Sequence, residues 1–228
     1  YHDLWLALVE LSELRPGEWT LVGGQMVFLH ALEHGVAPNR VSTDLDVLVN
    51  ARVVTGGVRE FVSSMEGRGF TLVGAAPDGI AHRYRRGGVS VDVLAPEGLG
   101  PRTDLTTTAP GRTLQMPGGT QALKRTELLP VAFGDRTGLV PRPSLLGAIV
   151  CKAVAVEVDD LPEAQRLDLV LLLGLVGDPL AMADQLTRKD RQRLRARSEL
   201  ASGDGPAWTS LPEEAADRGR AAYRLLTA

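Results

Sequence analysis

The feature that most constrains this chain is a glycine pair between a short apolar run and an amphipathic segment. Thr20-Leu21-Val22 is followed by Gly23 and Gly24, and apolar residues then recur at helical spacing until Gly35. This order predicts a strand, a tight turn and a helix, because glycine allows a close backbone approach at the turn. The N–H groups at the start of such a helix bind anions such as phosphate. We therefore expect Gly23 and Gly24 to lie against phosphate groups.

Two carboxylates follow on the next predicted strand, which runs over residues 44–49. Asp44 and Asp46 are two positions apart, so their side chains project from the same face of that strand. Like charges at this spacing repel each other, and a divalent cation between them removes the repulsion. Mg²⁺ prefers oxygen ligands shared between carboxylates and phosphates, and Mn²⁺ is the alternative ion. A third carboxylate, Asp92, lies on a later apolar strand and completes a predicted metal site of Asp44, Asp46 and Asp92.

The remaining pattern predicts a mixed α/β segment followed by helices. A hairpin is indicated by Gly87-Gly88, which separates residues 82–85 from the alternating run 89–94. We expect an α/β (α+β) fold in which residues 1–140 form the core and residues 141–228 form a helical region packed on it. Short strands and loops are predicted over residues 100–143. Helices are predicted over 3–14, 57–67, 163–173 and 179–200, with others beginning at Ser144 and ending near Leu226.

These motifs resemble those of the nucleotidyltransferase superfamily, which includes polymerase β. Within that superfamily, the chain is most similar to the AbiEii-type toxins of type IV toxin–antitoxin systems. The matching positions are Gly23-Gly24, Arg40-x-Ser42-x-Asp44-Leu45-Asp46, Asp92, Lys152 and Asp168-Leu169. The chain departs from the pattern at Gly24, where the superfamily has serine, and at Ala164-Gln165, where the family has a basic residue followed by Asp.

The resemblance implies a nucleotidyltransferase core with a mixed β-sheet flanked by helices. It also implies an enzyme that uses an NTP and releases pyrophosphate. The catalytic residues it implies are Asp44, Asp46, Asp92, Lys152 and Asp168. The nucleotide-binding residues it implies are Gly23, Gly24, Arg40, Ser42 and Lys152. In this assignment Asp92 completes a second metal site or accepts the proton of the attacking hydroxyl. Lys152 neutralises charge on the nucleotide, and Asp168 orients Lys152.

The resemblance also implies an acceptor and a partner. The acceptor is the 3′ end of a tRNA, the protein acts as a growth-inhibiting toxin, and a cognate antitoxin restrains it. The default interpretation of the basic stretch at residues 188–197 is a solvated helix face, and the sharper alternative is a contact with the RNA backbone. Two other classes of function stay open. One is a nucleotidyltransferase that acts on a small molecule or a protein side chain, and the other is a catalytically silent binding module of the same fold.

Composition narrows the cellular setting. The formal net charge of −3 argues against a chain that binds nucleic acid over its whole surface, and the single cysteine, Cys151, excludes an internal disulfide. No apolar run approaches the length of about 18 residues that a membrane span needs. The first residues also lack the pattern of a signal peptide. These observations predict a cytoplasmic protein with no membrane partner.

Overall fold

The computed structural model describes residues 1–15, 17–38, 40–53, 55–203 and 205–228. It divides into two compact units. The first comprises Tyr1–Gln25 and Ser42–Ser144, and the second comprises Met26–Val41 and Leu145–Ala228. The division into a core over residues 1–140 and a packed helical region over 141–228 stays a prediction.

Helices and strands alternate in the first unit, whereas the second is helical. Among the described residues, the α-helices are α1 (His2–Ser12), α2 (Gly23–Glu33), α3 (Gly57–Glu66), α4 (Gly119–Lys124), α5 (Leu145–Val158), α6 (Pro162–Gly174), α7 (Pro179–Asp184), α8 (Arg188–Arg195) and α9 (Glu213–Thr227). The strands are β1 (Trp19–Val22), β2 (Asp44–Val49), β3 (Thr71–Leu72), β4 (Arg83–Arg86), β5 (Val89–Pro96), β6 (Gln115–Met116), β7 (Thr126–Phe133) and β8 (Arg136–Pro143).

The main sheet of the first unit is mixed. Its strand order is β1-β2-β5-β4-β3, and β6 pairs with the end of β5. The central pair, β2 and β5, is parallel, while β1 and β4 run antiparallel to their neighbours β2 and β5. The expected α/β class with a mixed sheet flanked by helices, followed by helices at the C-terminal end, is therefore confirmed.

The two faces of β2 differ sharply. Leu45 and Val47 are fully buried, and the alternate positions Asp44 and Asp46 are only partly buried. Trp19 of β1, which is in register with Val49, packs its ring against Phe61 of α3 at 5.7 Å between centroids. Residues in register share a face, so α3 covers the apolar face of the sheet and the carboxylates project from the other.

The prediction of short strands over residues 100–143 is wrong at its C-terminal end. β7 and β8 are eight residues long each and form an antiparallel hairpin in register from Thr126↔Pro143 to Phe133↔Arg136. Pro130 and Pro141 lie within these strands, and proline removes a ladder donor, so their presence in the sequence argued against strands. The pair is a separate two-stranded sheet, in which such prolines are tolerated.

The predicted continuous helix over residues 179–200 is also wrong. α7 ends at Asp184, and α8 begins anew at Arg188. Thr187 starts α8 with a capping box, because its hydroxyl accepts from the Asp190 N–H and the Asp190 carboxylate accepts from the Thr187 N–H. A short 3₁₀ helix, Ser198–Ala201, follows.

None of the helices formed by the described residues combines the length and the apolar character that a membrane crossing requires.

Candidate functional site

Three aspartates meet on the polar face of the main sheet. Asp46 of β2 is in register with Asp92 of the parallel strand β5, so the two side chains lie side by side. Asp44 precedes Asp46 by two positions and projects from the same face. Carboxylate oxygens of the three residues all lie within 4.8 Å of one another. The structure therefore brings together the three acids that the sequence predicted to form one site.

The donor set suits a hard divalent cation. Carboxylate oxygens are the ligands that Mg²⁺ and Mn²⁺ prefer, and their mutual repulsion falls when a cation lies among them. Asp92 is buried, with 6% of its surface exposed, whereas Asp44 and Asp46 are open enough to share an ion with a substrate. The residues present thus fit a bound Mg²⁺ ion.

Gly23 makes room for one of these carboxylates. Its φ of +69° is in the left-handed region, and a Cβ built at this position would lie 1.7 Å from Asp46 Oδ2. The lack of a side chain therefore lets Asp46 approach the first turn of α2. This is a constraint that the sequence did not reveal, and the predicted phosphate contacts of Gly23 and Gly24 stay predictions.

Ser42 supports a second carboxylate. Its hydroxyl donates to Asp44 Oδ1 at 2.6 Å. Its own backbone carbonyl accepts from Gln25 Nε2 at 2.7 Å and from the Tyr1 hydroxyl at 3.0 Å. Ser42 is 7% exposed, so this hydrogen bond fixes the orientation of Asp44. Direct contact of Ser42 with a nucleotide stays a prediction.

The third carboxylate has a partner that sequence reasoning missed. Arg83 of β4 donates hydrogen bonds to both oxygens of Asp92, with Nε at 2.8 Å from Oδ1 and Nη2 at 2.6 Å from Oδ2. This hydrogen bond raises the pKa of Arg83 above its ordinary value, and the charges of Asp44 and Asp46 act in the same direction. His82 Nε2 lies 3.9 Å from Asp92 Oδ2.

The position of Arg83 was encoded in the hairpin. A two-residue turn at Gly87-Gly88 places Arg86 opposite Val89, and counting back along both strands places Arg83 opposite Asp92. The register of the predicted hairpin was therefore the signal that could have found Arg83.

A second charged cluster lies within the second unit. Lys152 of α5 and Asp168 of α6 are 3% and 2% exposed, and Lys152 Nζ lies 2.8 Å from Asp168 Oδ2. Arg40 donates to the same carboxylate, through Nε to Oδ1 at 2.9 Å and through Nη2 to Oδ2 at 2.7 Å. The structure thus pairs Lys152 with Asp168 and adds Arg40, which was predicted as a nucleotide contact.

The position at which the chain departs from the family pattern lies in this cluster. Lys152 Nζ donates to Gln165 Oε1 at 2.7 Å, and Gln165 Nε2 donates to Asp159 Oδ2 at 2.7 Å. The neutral amide of Gln165 therefore bridges the buried Lys152 and the carboxylate of Asp159 by hydrogen bonds. Two of the three N–H groups of Lys152 are directed by these contacts.

The basic stretch is partly used for structure. Arg191 donates to the carbonyls of Ala183 and Leu226, and Arg195 donates to those of Thr227 and Ala228. These arginines fasten α8 within the second unit. Arg188 and Lys189 lie at the start of α8 with exposed side chains. Fewer than the six basic side chains of this stretch are therefore available for the predicted RNA contact.

Comparison with known proteins identifies the fold. No family model matches the chain, and a search of curated proteins finds no match. Among solved structures, the chain is similar to an antigenic nucleotidyltransferase-like protein from Paracoccidioides brasiliensis, at 13% sequence identity over 86% of each chain and with a TM-score of 0.51. At this identity the likeness shows the fold alone. The predicted nucleotidyltransferase-like fold is confirmed as a fold.

Proposed function

We propose that this protein is a Mg²⁺-dependent nucleotidyltransferase, which moves a nucleoside monophosphate from an NTP to an acceptor hydroxyl. The observation that carries the proposal is the convergence of Asp44, Asp46 and Asp92, whose carboxylate oxygens lie within 4.8 Å of one another on a nucleotidyltransferase-like fold. Three acids on one face of a sheet cost electrostatic energy, and a cation site that works on phosphates is the function that explains their grouping best.

Residues of the first unit have distinct roles in the proposed reaction. Asp44 and Asp46 hold the metal, which when bound neutralises negative charge on the phosphates. Ser42 keeps Asp44 in one orientation, and Gly23 admits Asp46 to the first turn of α2. The N-terminal N–H groups of that helix favour a phosphate by hydrogen bonding and by the helix dipole.

The reaction forms one bond and breaks one. The acceptor hydroxyl oxygen bonds to the α-phosphorus, and the bond from that phosphorus to the oxygen bridging to the β-phosphate breaks. Pyrophosphate leaves with the electron pair of the broken bond. The hydroxyl proton passes to Asp92 or to water.

For the acceptor, we propose the 3′ end of a tRNA, with growth inhibition as the outcome and an antitoxin protein as the partner. The support is the resemblance to AbiEii-type toxins at Arg40–Asp46, Lys152 and Asp168-Leu169. In this assignment Lys152 neutralises charge on the nucleotide and Asp168 orients Lys152. Their 2.8 Å pairing supports the second of these roles.

The test is incubation of the purified protein with total RNA, Mg²⁺ and each labelled NTP in turn. We expect label in the tRNA band. Asp46→Asn is expected to remove the label while leaving the melting temperature close to that of the wild type, because the variant loses one ligand and relieves charge repulsion. Asp78→Asn is the control, since Asp78 is exposed and accepts from the Ile80 N–H in its own turn. Full labelling by the Asp46→Asn variant would overturn the proposal.

A second acceptor class is favoured by one observation. Arg191 and Arg195 are engaged with backbone carbonyls, which leaves less of the basic stretch for RNA. A nucleotidyltransferase acting on a small molecule or a protein side chain needs no such surface. In the same assay, label in a protein band or in a low-mass product, with none in RNA, would identify this alternative. A catalytically silent module would give no label in any fraction.

A further inference from the structure

We propose that Arg83 occupies Asp92 in place of a second metal ion, so that the free protein binds one divalent cation, at Asp44 and Asp46. A second cation binds only when Arg83 has left Asp92. The inference rests on the proposed function, because it concerns the same metal site. It makes Arg83 a positioning residue that sets how many metal ions the site accepts.

The geometry of the pair is the first support. Both oxygens of Asp92 accept from one guanidinium, at 2.8 Å and 2.6 Å. Two parallel N–H···O bonds to a carboxylate are a strong and specific arrangement, which takes up one lone pair of each Asp92 oxygen and holds a positive charge beside both. Asp44 and Asp46 contribute to the raised pKa of Arg83 only through their charges. A metal ion that used Asp92 would therefore lie next to the charged guanidinium, whereas Asp44 and Asp46 are not hydrogen-bonded to Arg83.

The charge of the site is the second support. Three carboxylates and the Arg83 guanidinium leave a formal charge of −2, which one divalent cation matches. Adding a second divalent cation with Arg83 still in place would bring two more positive charges to four groups whose net charge the first cation has already balanced. Because unscreened like charges at a few ångströms repel strongly, the second ion and Arg83 exclude each other.

The exposure of the two partners makes the exchange reversible. The Arg83 side chain is 48% exposed, whereas that of Asp92 is 9% exposed. Arg83 can therefore turn into water without opening the apolar core, while Asp92 stays in place. Because water can reach Arg83, it screens the pair and can replace hydrogen bonds that Asp92 loses. Removal of Arg83 is therefore expected to change metal binding and to lower stability without unfolding the protein.

The experiment is calorimetric titration with Mn²⁺ alone. We expect one ion per chain for the wild type and two for Arg83→Gln. The affinity of Arg83→Gln for this second Mn²⁺ ion is expected to exceed that of any second site in the wild type by about tenfold or more. The reason is that a positive charge beside a carboxylate changes how tightly that carboxylate binds another cation by about this factor. Arg85→Gln is the matched control. Arg85 is exposed, lies two residues along β4 on the same face and is in register with Ser90 instead of an aspartate. The Mn²⁺ affinity of the Arg85→Gln variant is expected to stay within about twofold of that of the wild type.

Adding Asp92→Asn to Arg83→Gln tests where the second ion binds. We expect the double variant to return to one ion, and circular dichroism melting to show that every variant is folded. The inference is overturned if Arg83→Gln binds Mn²⁺ as the wild type does, or if its additional ion persists without Asp92. A different failure is distinguishable, since absence of Mn²⁺ binding in the wild type and in all variants would remove the metal site on which the proposed function depends.

Discussion

At the scale of single residues, Gly23 shows how a missing side chain positions a charged one. Asp46 Oδ2 occupies the space that a Cβ at Gly23 would need, and the φ of +69° is itself unfavourable for other residues. Gly35, at the other end of α2, has a similar φ of +66° with no atom within 4 Å of such a Cβ. An alanine at either glycine would strain the backbone, whereas an alanine at Gly23 would also displace the Asp46 carboxylate. Comparing the two substitutions therefore separates these two effects.

We predict that Gly23→Ala lowers the free energy of unfolding by about 2–4 kcal/mol and weakens Mn²⁺ binding, because the methyl group displaces the Asp46 carboxylate. Gly35→Ala is expected to cost about 1 kcal/mol, from backbone strain, with unchanged metal affinity. Urea unfolding and Mn²⁺ titration measure both effects. Equal losses in the two variants would show that Asp46 moves aside without consequence.

The cluster around Asp168 is asymmetric, with two cations on one carboxylate. Asp168→Asn is predicted to destabilise the protein by about 3–5 kcal/mol, since the negative charge beside Lys152 and Arg40 is lost and Lys152 is only 3% exposed. Lys152→Met is expected to cost less, because Arg40 still neutralises Asp168. The free energy of unfolding in urea decides this. A larger loss in the lysine variant would contradict the assignment.

The three aspartates could be predicted from spacing, because strand periodicity and apolar neighbours are local properties of the sequence. Arg83 needed a further step, because it is found by following the register of the Gly87-Gly88 hairpin and not by spacing along one strand. The pairing of Arg40 with Asp168 spans 128 positions, and packing sets partners of that kind, which composition and motif leave open.

At the scale of elements, an ion pair links α1 to β4 within the first unit. Arg86 Nη2 lies 2.7 Å from Glu10 Oε2, and the hydrogen bond from Arg86 holds the pKa of Glu10 below its ordinary value. Because the folded pKa is the lower one, the stabilisation is present in full above the ordinary pKa of Glu10. It is lost as the pH falls from that value through the folded pKa.

We predict that Glu10→Gln lowers the free energy of unfolding near neutral pH by up to about 1 kcal/mol. The difference from the wild type should shrink below the ordinary pKa of a glutamate and vanish below the folded one. Urea unfolding at a series of pH values measures it. A difference that is independent of pH would mean that Glu10 acts by packing and not by charge.

Elements with a strong local pattern were predicted well, and those without one were not. The alternation in β2 and β5 and the Gly-bounded α2 gave correct types and nearly correct bounds. The β7–β8 hairpin was missed because its prolines and its exposed positions weaken the alternation. The break before α8 had a signal, since Thr187 and Asp190 have capping-box spacing, but the continuous run of helix-forming residues around it suggested a single helix.

At the scale of the whole molecule, the formal net charge is −3, so RNA binding would depend on a local basic surface. Arg188, Lys189 and Arg195 of the basic stretch are exposed, and Arg195 donates to the carbonyls of Thr227 and Ala228. If an RNA is the acceptor, Arg188→Glu combined with Lys189→Glu should weaken RNA binding by about tenfold or more and reduce the salt dependence by about two phosphate contacts. Filter binding at several salt concentrations measures both.

The control for that prediction carries the same change in charge elsewhere. Lys124→Glu with Arg224→Glu alters two exposed positions outside the stretch. The expected effect on RNA binding is small. Equal weakening in the two double variants would point to net charge alone, and no weakening in either would favour a small-molecule or protein acceptor.

The Gly87-Gly88 turn has a consequence beyond its own two residues. It decides which side chain of β4 stands across from Asp92, and an insertion of one residue there would shift the pairing and bring a neighbour of Arg83 into its place. The number of positive charges beside the three acids therefore depends on the length of an uncharged loop. A change that leaves every acidic residue intact could still alter what the site binds.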